Sequence, residues 1–141
     1  WKFSKTKINM KRSSFLLIAA IIPLLFGLVM MLAPDKMLSN SLHNEANLQT
    51  LSVTQWVGFG VFTVGLINFL SRNDDGSLAL RAIMIGNIVF HSLGICFDVY
   101  DYSIEVMKLS GLVTGLIPHS LLIIGFVYYL LKLPNPQAKP N

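Results

Sequence analysis

Four long apolar stretches dominate the pattern of hydrophobic and polar positions along the chain. They occupy residues 14–33, 51–70, 78–97 and 112–131, and Arg81 is the only formally charged residue within them. Each is about as long as the roughly 20 residues that a helix needs to cross the hydrocarbon core of a bilayer. Because none alternates polar and apolar residues as a barrel strand does, the pattern predicts four transmembrane helices, called spans 1–4 here.

Composition supports this interpretation. Hydrophobic residues make up 53% of the 141 residues and charged residues 13%, about half the charge of an ordinary soluble domain. This composition excludes a disordered tail and a water-soluble enzyme core. Cys96 is the only cysteine, which excludes an intrachain disulfide and a thiol redox pair. The predicted fold class is therefore all-α, an integral membrane four-helix bundle.

The bundle accounts for most of the chain. We expect a basic tail at residues 1–13, a four-helix transmembrane domain at 14–133 and a second tail at 134–141. Span 1 is too long for a typical signal-peptide core, so we expect it to be retained. Residues 34–50 form either a short helix or a polar loop. The short turn at 71–77 predicts that spans 2 and 3 are antiparallel neighbours.

The distribution of basic residues predicts the orientation. If four spans alternate, nine lysines and arginines fall on one side of the membrane and two on the other. The excess marks the cytoplasmic side, so both termini are expected there (N-in/C-in). The basic residues are not gathered on one face with aromatic side chains, so a nucleic acid partner is not expected. The nine are Lys2, Lys5, Lys7, Lys11, Arg12, Arg72, Arg81, Lys132 and Lys139; the two are Lys36 and Lys108.

Polar residues within the spans are few and concentrate in the half away from the cytoplasm. Asn87 and His91 of span 3 and Asp98, directly after it, lie within about 40° of one another on one helical face. His119 of span 4 is at the same depth as His91, and Gln55 of span 2 lies in the same half. Because an ionisable residue inside a membrane costs several kcal/mol unless it is paired or faces a cavity, these five are the candidate ligand-binding residues.

Three interpretations of this polar group stay open. The residues are interhelical hydrogen-bonding partners that only stabilise the bundle, or they line a cavity that binds a small lipophilic ligand or a lipid head group. In the third, His91 and His119 ligate one haem iron or contact a quinone. No catalytic residues are identified. The sequence therefore favours a non-catalytic binding or accessory protein, with a redox component or a structural subunit beside a membrane partner as alternatives.

Four segments of the chain together resemble a known family. They are Ala33-Pro34-Asp35 after span 1, the glycine-rich segment 55–72, Gly86-Asn87-Ile88-Val89-Phe90-His91 in span 3, and residues 119–129 in span 4. Across residues 15–133 the chain resembles small bacterial membrane proteins of the DoxX-like type. The resemblance implies a four-helix bundle in the bacterial cytoplasmic (inner) membrane, in some members an accessory subunit beside a redox enzyme. It carries over no catalytic residues.

Overall fold

The computed structural model describes residues 10–134, and within them every long element is a helix. Four of the five helices, α1, α3, α4 and α5, are long and apolar enough to cross a membrane. The chain is therefore a multi-pass membrane protein. Most of the tails expected at 1–13 and 134–141 lies outside the described residues. The helices are α1 (Arg12–Leu32), α2 (Pro34–Ser41), α3 (Leu48–Ser71), α4 (Leu78–Ser103) and α5 (Leu109–Lys132).

The long helices begin and end close to the predicted spans, with one large difference at the end of α4. Span 3 was predicted to end at residue 97, whereas α4 continues to Ser103 and carries Asp98 on a regular helix. Hydropathy marks the residues that prefer hydrocarbon, but helical hydrogen bonding continues into the polar interface. The structure also decides between the two predictions for residues 34–50, because Pro34–Ser41 form the short helix α2.

Helices α1 and α3 form one tightly packed pair. A Cβ atom added at Gly27 would lie 2.5 Å from the backbone nitrogen of Phe62 and 2.7 Å from the carbonyl of Gly58. At Gly65 an added Cβ would lie 2.8 Å from the backbone nitrogen of Leu24. Spans 2 and 3, the predicted antiparallel neighbours, meet as α3 and α4 only over a small contact, because the glycines of α3 hold it against α1.

Helices α4 and α5 form the second pair, and α1 joins it through an apolar core. The ring of Phe15 on α1 lies edge-on to Phe126, at 5.0 Å between centroids, and stacks on Tyr129 at 4.9 Å. This core lies near the start of α1, the start of α4 and the end of α5. Its buried members are Phe15, Leu16, Ala19, Leu80, Met84, Leu122, Phe126, Tyr129 and Leu133.

We call the end of the molecule that carries Arg12, Arg72, Arg81 and Lys132 the basic end, and the opposite end the α2 end. At the α2 end the segment after α2 lies against the turn between α4 and α5. The backbone nitrogen of Lys108 donates to the carbonyl of Ser41 at 2.8 Å. Packing differs between the ends: beyond His91 no residue of α4 is buried, and Gly111 is the only buried residue of α5 before Leu122.

Candidate intramembrane ligand site

His91 and His119 meet in the contact between α4 and α5. Their Nδ1 atoms are 2.8 Å apart, and their ring centroids are 5.0 Å apart. His91 is 3% exposed and lies parallel to the Phe126 ring, whereas His119 is half-buried. The structure therefore brings together the two histidines that the sequence placed at the same depth on adjacent spans.

The short contact between the rings fixes their hydrogen-bonding roles. An Nδ1-to-Nδ1 hydrogen bond needs an N–H on one ring and a lone pair on the other, so the two neutral rings hold opposite tautomers. The accepting ring carries its proton on Nε2, and the donating ring has a free lone pair there. The pair therefore offers one Nε2–H donor and one Nε2 acceptor to further partners.

Glycines opposite His119 and Asp98 allow α4 and α5 to pack closely. A Cβ added at Gly94 of α4 would lie 2.7 Å from His119 Nε2, so the imidazole edge lies directly on the glycine backbone. One turn further along, the carboxyl group of Asp98 occupies the space beside Gly115 of α5. His119 and Asp98 thus each face a glycine on the other helix.

Two polar side-chain atoms of the residues in this helix contact are buried without a hydrogen-bond partner among residues 10–134. They are Nε2 of His91 and Oδ2 of Asp98. A buried polar atom without a partner costs about 1–3 kcal/mol. Both atoms lie in the contact between α4 and α5, toward the α2 end. We call His91, His119 and Asp98 together the imidazole site.

Asn87 belongs to a different polar cluster, although it shares a helical face with His91. Its amide pairs reciprocally with that of Asn68, at 2.9 Å in both directions, and also donates to the carbonyl of Ile83. Asn68 in turn donates to the carbonyl of Ala19 on α1. Asn68 was not among the candidate residues. It is fully buried, and the pair joins α1, α3 and α4.

Gln55 is also separate from the imidazole site. Its side chain is exposed on α3 and donates to the carbonyl of Met31 at 3.0 Å, close to the end of α1. It therefore stabilises the pairing of α1 with α3. Of the five candidate residues, the structure brings His91, His119 and Asp98 into one contact and places Asn87 and Gln55 in two others.

His91 and His119 are the residues that would ligate a haem iron, so their geometry can be compared with that of a bis-histidine site. Two axial imidazoles on one iron place their ligating nitrogens about 4 Å apart, twice a metal–nitrogen bond of about 2 Å. Here the Nδ1 atoms are 2.8 Å apart and bonded to each other, and the ring of His119 lies on Gly94. The two residues as arranged do not fit a bis-histidine haem. Residues 10–134 contain no group of three or more histidine, cysteine or acidic residues that could hold a metal ion.

No family model matches the chain, and no curated protein and no solved structure matches it. The resemblance to the DoxX-like type stays a prediction.

Proposed function

We propose that this chain is a small, non-catalytic membrane binding protein whose imidazole site holds a lipophilic ligand with hydrogen-bonding groups. In this proposal α1, α3, α4 and α5 form a four-helix bundle in the bacterial cytoplasmic membrane, as in the DoxX-like type. Both termini are cytoplasmic, and the imidazole site lies in the outer half of the bundle.

One observation carries the proposal: the buried, unpartnered Nε2 of His91 and Oδ2 of Asp98. A group that only holds helices together gains most when all of its polar atoms are paired, as they are in the Asn68–Asn87 cluster. The imidazole site is different, because its two rings bond each other and still leave hydrogen-bonding atoms unpaired. A ligand that accepts from one group and donates to another would recover the cost of those unpaired atoms.

Two features of the basic side chains support the proposed orientation, in which the basic end faces the cytoplasm. The basic end carries five cationic residues of the described chain beside the helix termini, and the α2 end carries Lys36 and Lys108. Arg81 donates to the carbonyl of Leu133 at 2.9 Å and so neutralises the end of α5. A cationic excess of this kind is typical of the cytoplasmic side.

The experiment is organic extraction of the detergent-purified protein, followed by mass spectrometry of the extracted lipophiles. We expect the wild type to yield a lipophile at near-stoichiometric amounts whose retention depends on the histidines, with His91→Ala and His119→Ala retaining at least ten-fold less of it. Matched controls are Val89→Ala and Leu121→Ala, each two residues from a histidine and 52% and 64% exposed. Equal retention by the wild type and both histidine variants would overturn the proposal.

Two further readouts separate the alternatives. A Soret band in the oxidised protein that sharpens with dithionite and disappears in His91→Ala would replace the proposal with a haem redox component. A purely structural subunit predicts a different result: alanine at both histidines would change assembly with a membrane partner and leave the extracted lipophiles unchanged.

A further inference from the structure

Two concave surfaces at the α2 end share one lysine. The first is an open cavity of about 520 Å³ beside α2 and the loop that follows it. Its charged lining residues are two lysines, Lys36 and Lys108, and two acids, Asp35 and Glu45. Lys36 and Lys108 are also the only lysines or arginines at this end of the described chain. Both cationic side chains of the α2 end therefore lie in one cavity together with an equal number of carboxylates.

The second surface is an apolar groove of about 370 Å³ between α1 and α2. Its apolar walls are Leu25, Phe26 and Val29 of α1 and Met37 of α2, and Lys36 lies at its edge with Asn40. The α1 residues lie within a helix long and apolar enough to cross the membrane, near the end that meets α2. The apolar groove and the charged cavity thus meet at Lys36, which lines both.

We propose that these two surfaces together bind one phospholipid with a zwitterionic, primary-amine head group, that is, a phosphatidylethanolamine. The phosphate lies between Lys36 and Lys108, the ammonium group lies against the carboxylates of Asp35 and Glu45, and an acyl chain occupies the groove along α1. This lipid site is distinct from the imidazole site and shares no residue with it.

The charge of the cavity selects this head group over others. Two lysines from different elements suit a phosphate, but two carboxylates in the same lining oppose a lipid that carries only negative charge. An ammonium group with three N–H donors satisfies those carboxylates, whereas the quaternary ammonium of a choline has no N–H to donate. Phosphatidylethanolamine therefore matches both pairs of charges.

The cavity is held in shape by hydrogen bonds. The ammonium of Lys108 donates to the carbonyl of Ser39 at 3.1 Å, and the hydroxyl of Ser110 donates to the carbonyl of Asn40 at 2.9 Å. These contacts tie α2 to the start of α5. Because the two lysines come from segments fixed to each other, the binding of a phosphate between them requires little additional ordering.

The test is native mass spectrometry of the delipidated, detergent-solubilised full chain. Phosphatidylethanolamine, phosphatidylglycerol and phosphatidylcholine with identical acyl chains are added at equal concentrations. We expect one bound lipid, with phosphatidylethanolamine preferred about five-fold over each of the others. Equal binding of phosphatidylglycerol would overturn the role of the acids, and equal binding of phosphatidylcholine would overturn the role of the amine hydrogen bonds.

Variants test each part of the site separately. Lys36→Gln is expected to lower phosphatidylethanolamine binding about five-fold, and Glu45→Gln to remove the preference over phosphatidylglycerol. Lys11→Gln, an exposed lysine at the basic end, is the control for net charge and is expected to bind as the wild type does. Unchanged binding in both Lys36→Gln and Glu45→Gln would overturn the proposal.

The groove is tested by blocking it. Val29→Trp is expected to reduce lipid binding at least five-fold, whereas Leu121→Trp, on the exposed face of α5, leaves it unchanged. Soluble glycerophosphoethanolamine, which lacks acyl chains, is expected to bind at least ten-fold more weakly than the lipid. Binding of this soluble head group at lipid strength would show a free phosphate site and overturn the assignment to a lipid. Failure of these results leaves the histidine-dependent retention of a lipophile intact, so the two proposals fail separately.

Discussion

The pair α1/α3 and the pair α4/α5 both use glycines, but they fill the space that the glycines leave in different ways. Opposite Gly27, Gly58 and Gly65 lies the backbone of the partner helix or the first atoms of its side chains. Opposite Gly94 and Gly115 lie the imidazole of His119 and the carboxyl of Asp98. The same residue type therefore builds a close apolar contact in one pair and a place for ionisable groups in the other.

This difference separates architecture from the candidate function. Lipid does not drive helices together as water does, so close backbone approach supplies much of the attraction between α1 and α3. In the α4/α5 pair, the space beside Gly94 and Gly115 is occupied by the side chains of His119 and Asp98 instead. We therefore expect substitutions in the first pair to act on stability, and substitutions in the second to act mainly on the imidazole site.

The largest effect is expected for Gly58→Ala. A Cβ there would lie 2.6 Å from the Cβ of Met30 and 2.9 Å from the carbonyl of Gly27, so α1 and α3 must separate. Gly60→Ala, two residues along α3, is the control because nothing lies within 4 Å of its added Cβ. Relative to this control, we expect Gly58→Ala to lower the free energy of unfolding by about 3 kcal/mol, measured by denaturant titration in mixed micelles. Equal stability of the two variants would show that the close contact does not hold the pair together.

The next effect concerns the asparagine pair, which joins α1/α3 to α4. Asn68→Ala and Asn87→Ala each leave a buried amide without its partner, and we expect each to cost about 2 kcal/mol of unfolding free energy. In the double variant the second change costs little, so the coupling energy is expected to be about 1.5 kcal/mol. Additive losses in the double-mutant cycle would contradict a direct bond between the two side chains.

A smaller effect on stability, but a specific one on the site, is expected for Gly94→Ala. The added Cβ displaces the ring of His119 rather than a backbone, so we expect a loss of about 1 kcal/mol and a broken His91–His119 hydrogen bond. Imidazole ¹⁵N NMR measures that bond directly. The control is Gly86→Ala on the same helix, where the added Cβ meets nothing within 4 Å. Unchanged ring signals in Gly94→Ala would mean that the glycine does not position His119.

The smallest effect is expected at the turn that links the two pairs. The backbone N–H of Ser77, together with its hydroxyl and the N–H of Gly76, lowers the pKa of the Asp74 carboxyl below its usual value. A lowered folded-state pKa contributes stability above the unfolded value of about 3.9, and that contribution is lost as the pH falls through the folded pKa.

Thermal unfolding followed between neutral pH and pH 2 checks this expectation. The wild type should lose stability in that window more steeply than Asp74→Asn. Asp75→Asn is the control, since the Asp75 carboxylate accepts no hydrogen bond within residues 10–134. If Asp74→Asn followed the wild-type profile throughout, the turn would not depend on the ionised carboxylate.

Hydropathy alone predicted the four long helices, because the bilayer requires about 20 consecutive apolar residues. It could not predict which helices pair. The short turn before α4 favoured contact between α3 and α4, yet α3 packs along α1. Contact between distant segments depends on which faces of two helices have matching small residues, and Gly27 matches Gly58 only once both helices are placed.

The candidate site was predictable in part. Helical spacing and depth brought His91 and His119 together because both quantities follow from the rise and turn of a regular helix. The same reasoning put Asn87 with them and left out Asn68, because a shared face on one helix does not say which partner each residue meets. The signal that the sequence offered was the spacing: Asn68 follows Gly65 by three residues, which places both near one face of the helix.

The sequence by itself determined that this chain is a helical membrane protein, and it identified the few polar residues that the spans contain. Composition and periodicity are local quantities, and the bilayer acts on each span separately. Only the tertiary structure decided which polar atoms are satisfied. Hydrogen bonding depends on contacts of a few ångströms between helices. Those contacts paired Asn87 with Asn68, Gln55 with Met31 and His91 with His119, and within residues 10–134 they left His91 Nε2 and Asp98 Oδ2 without partners.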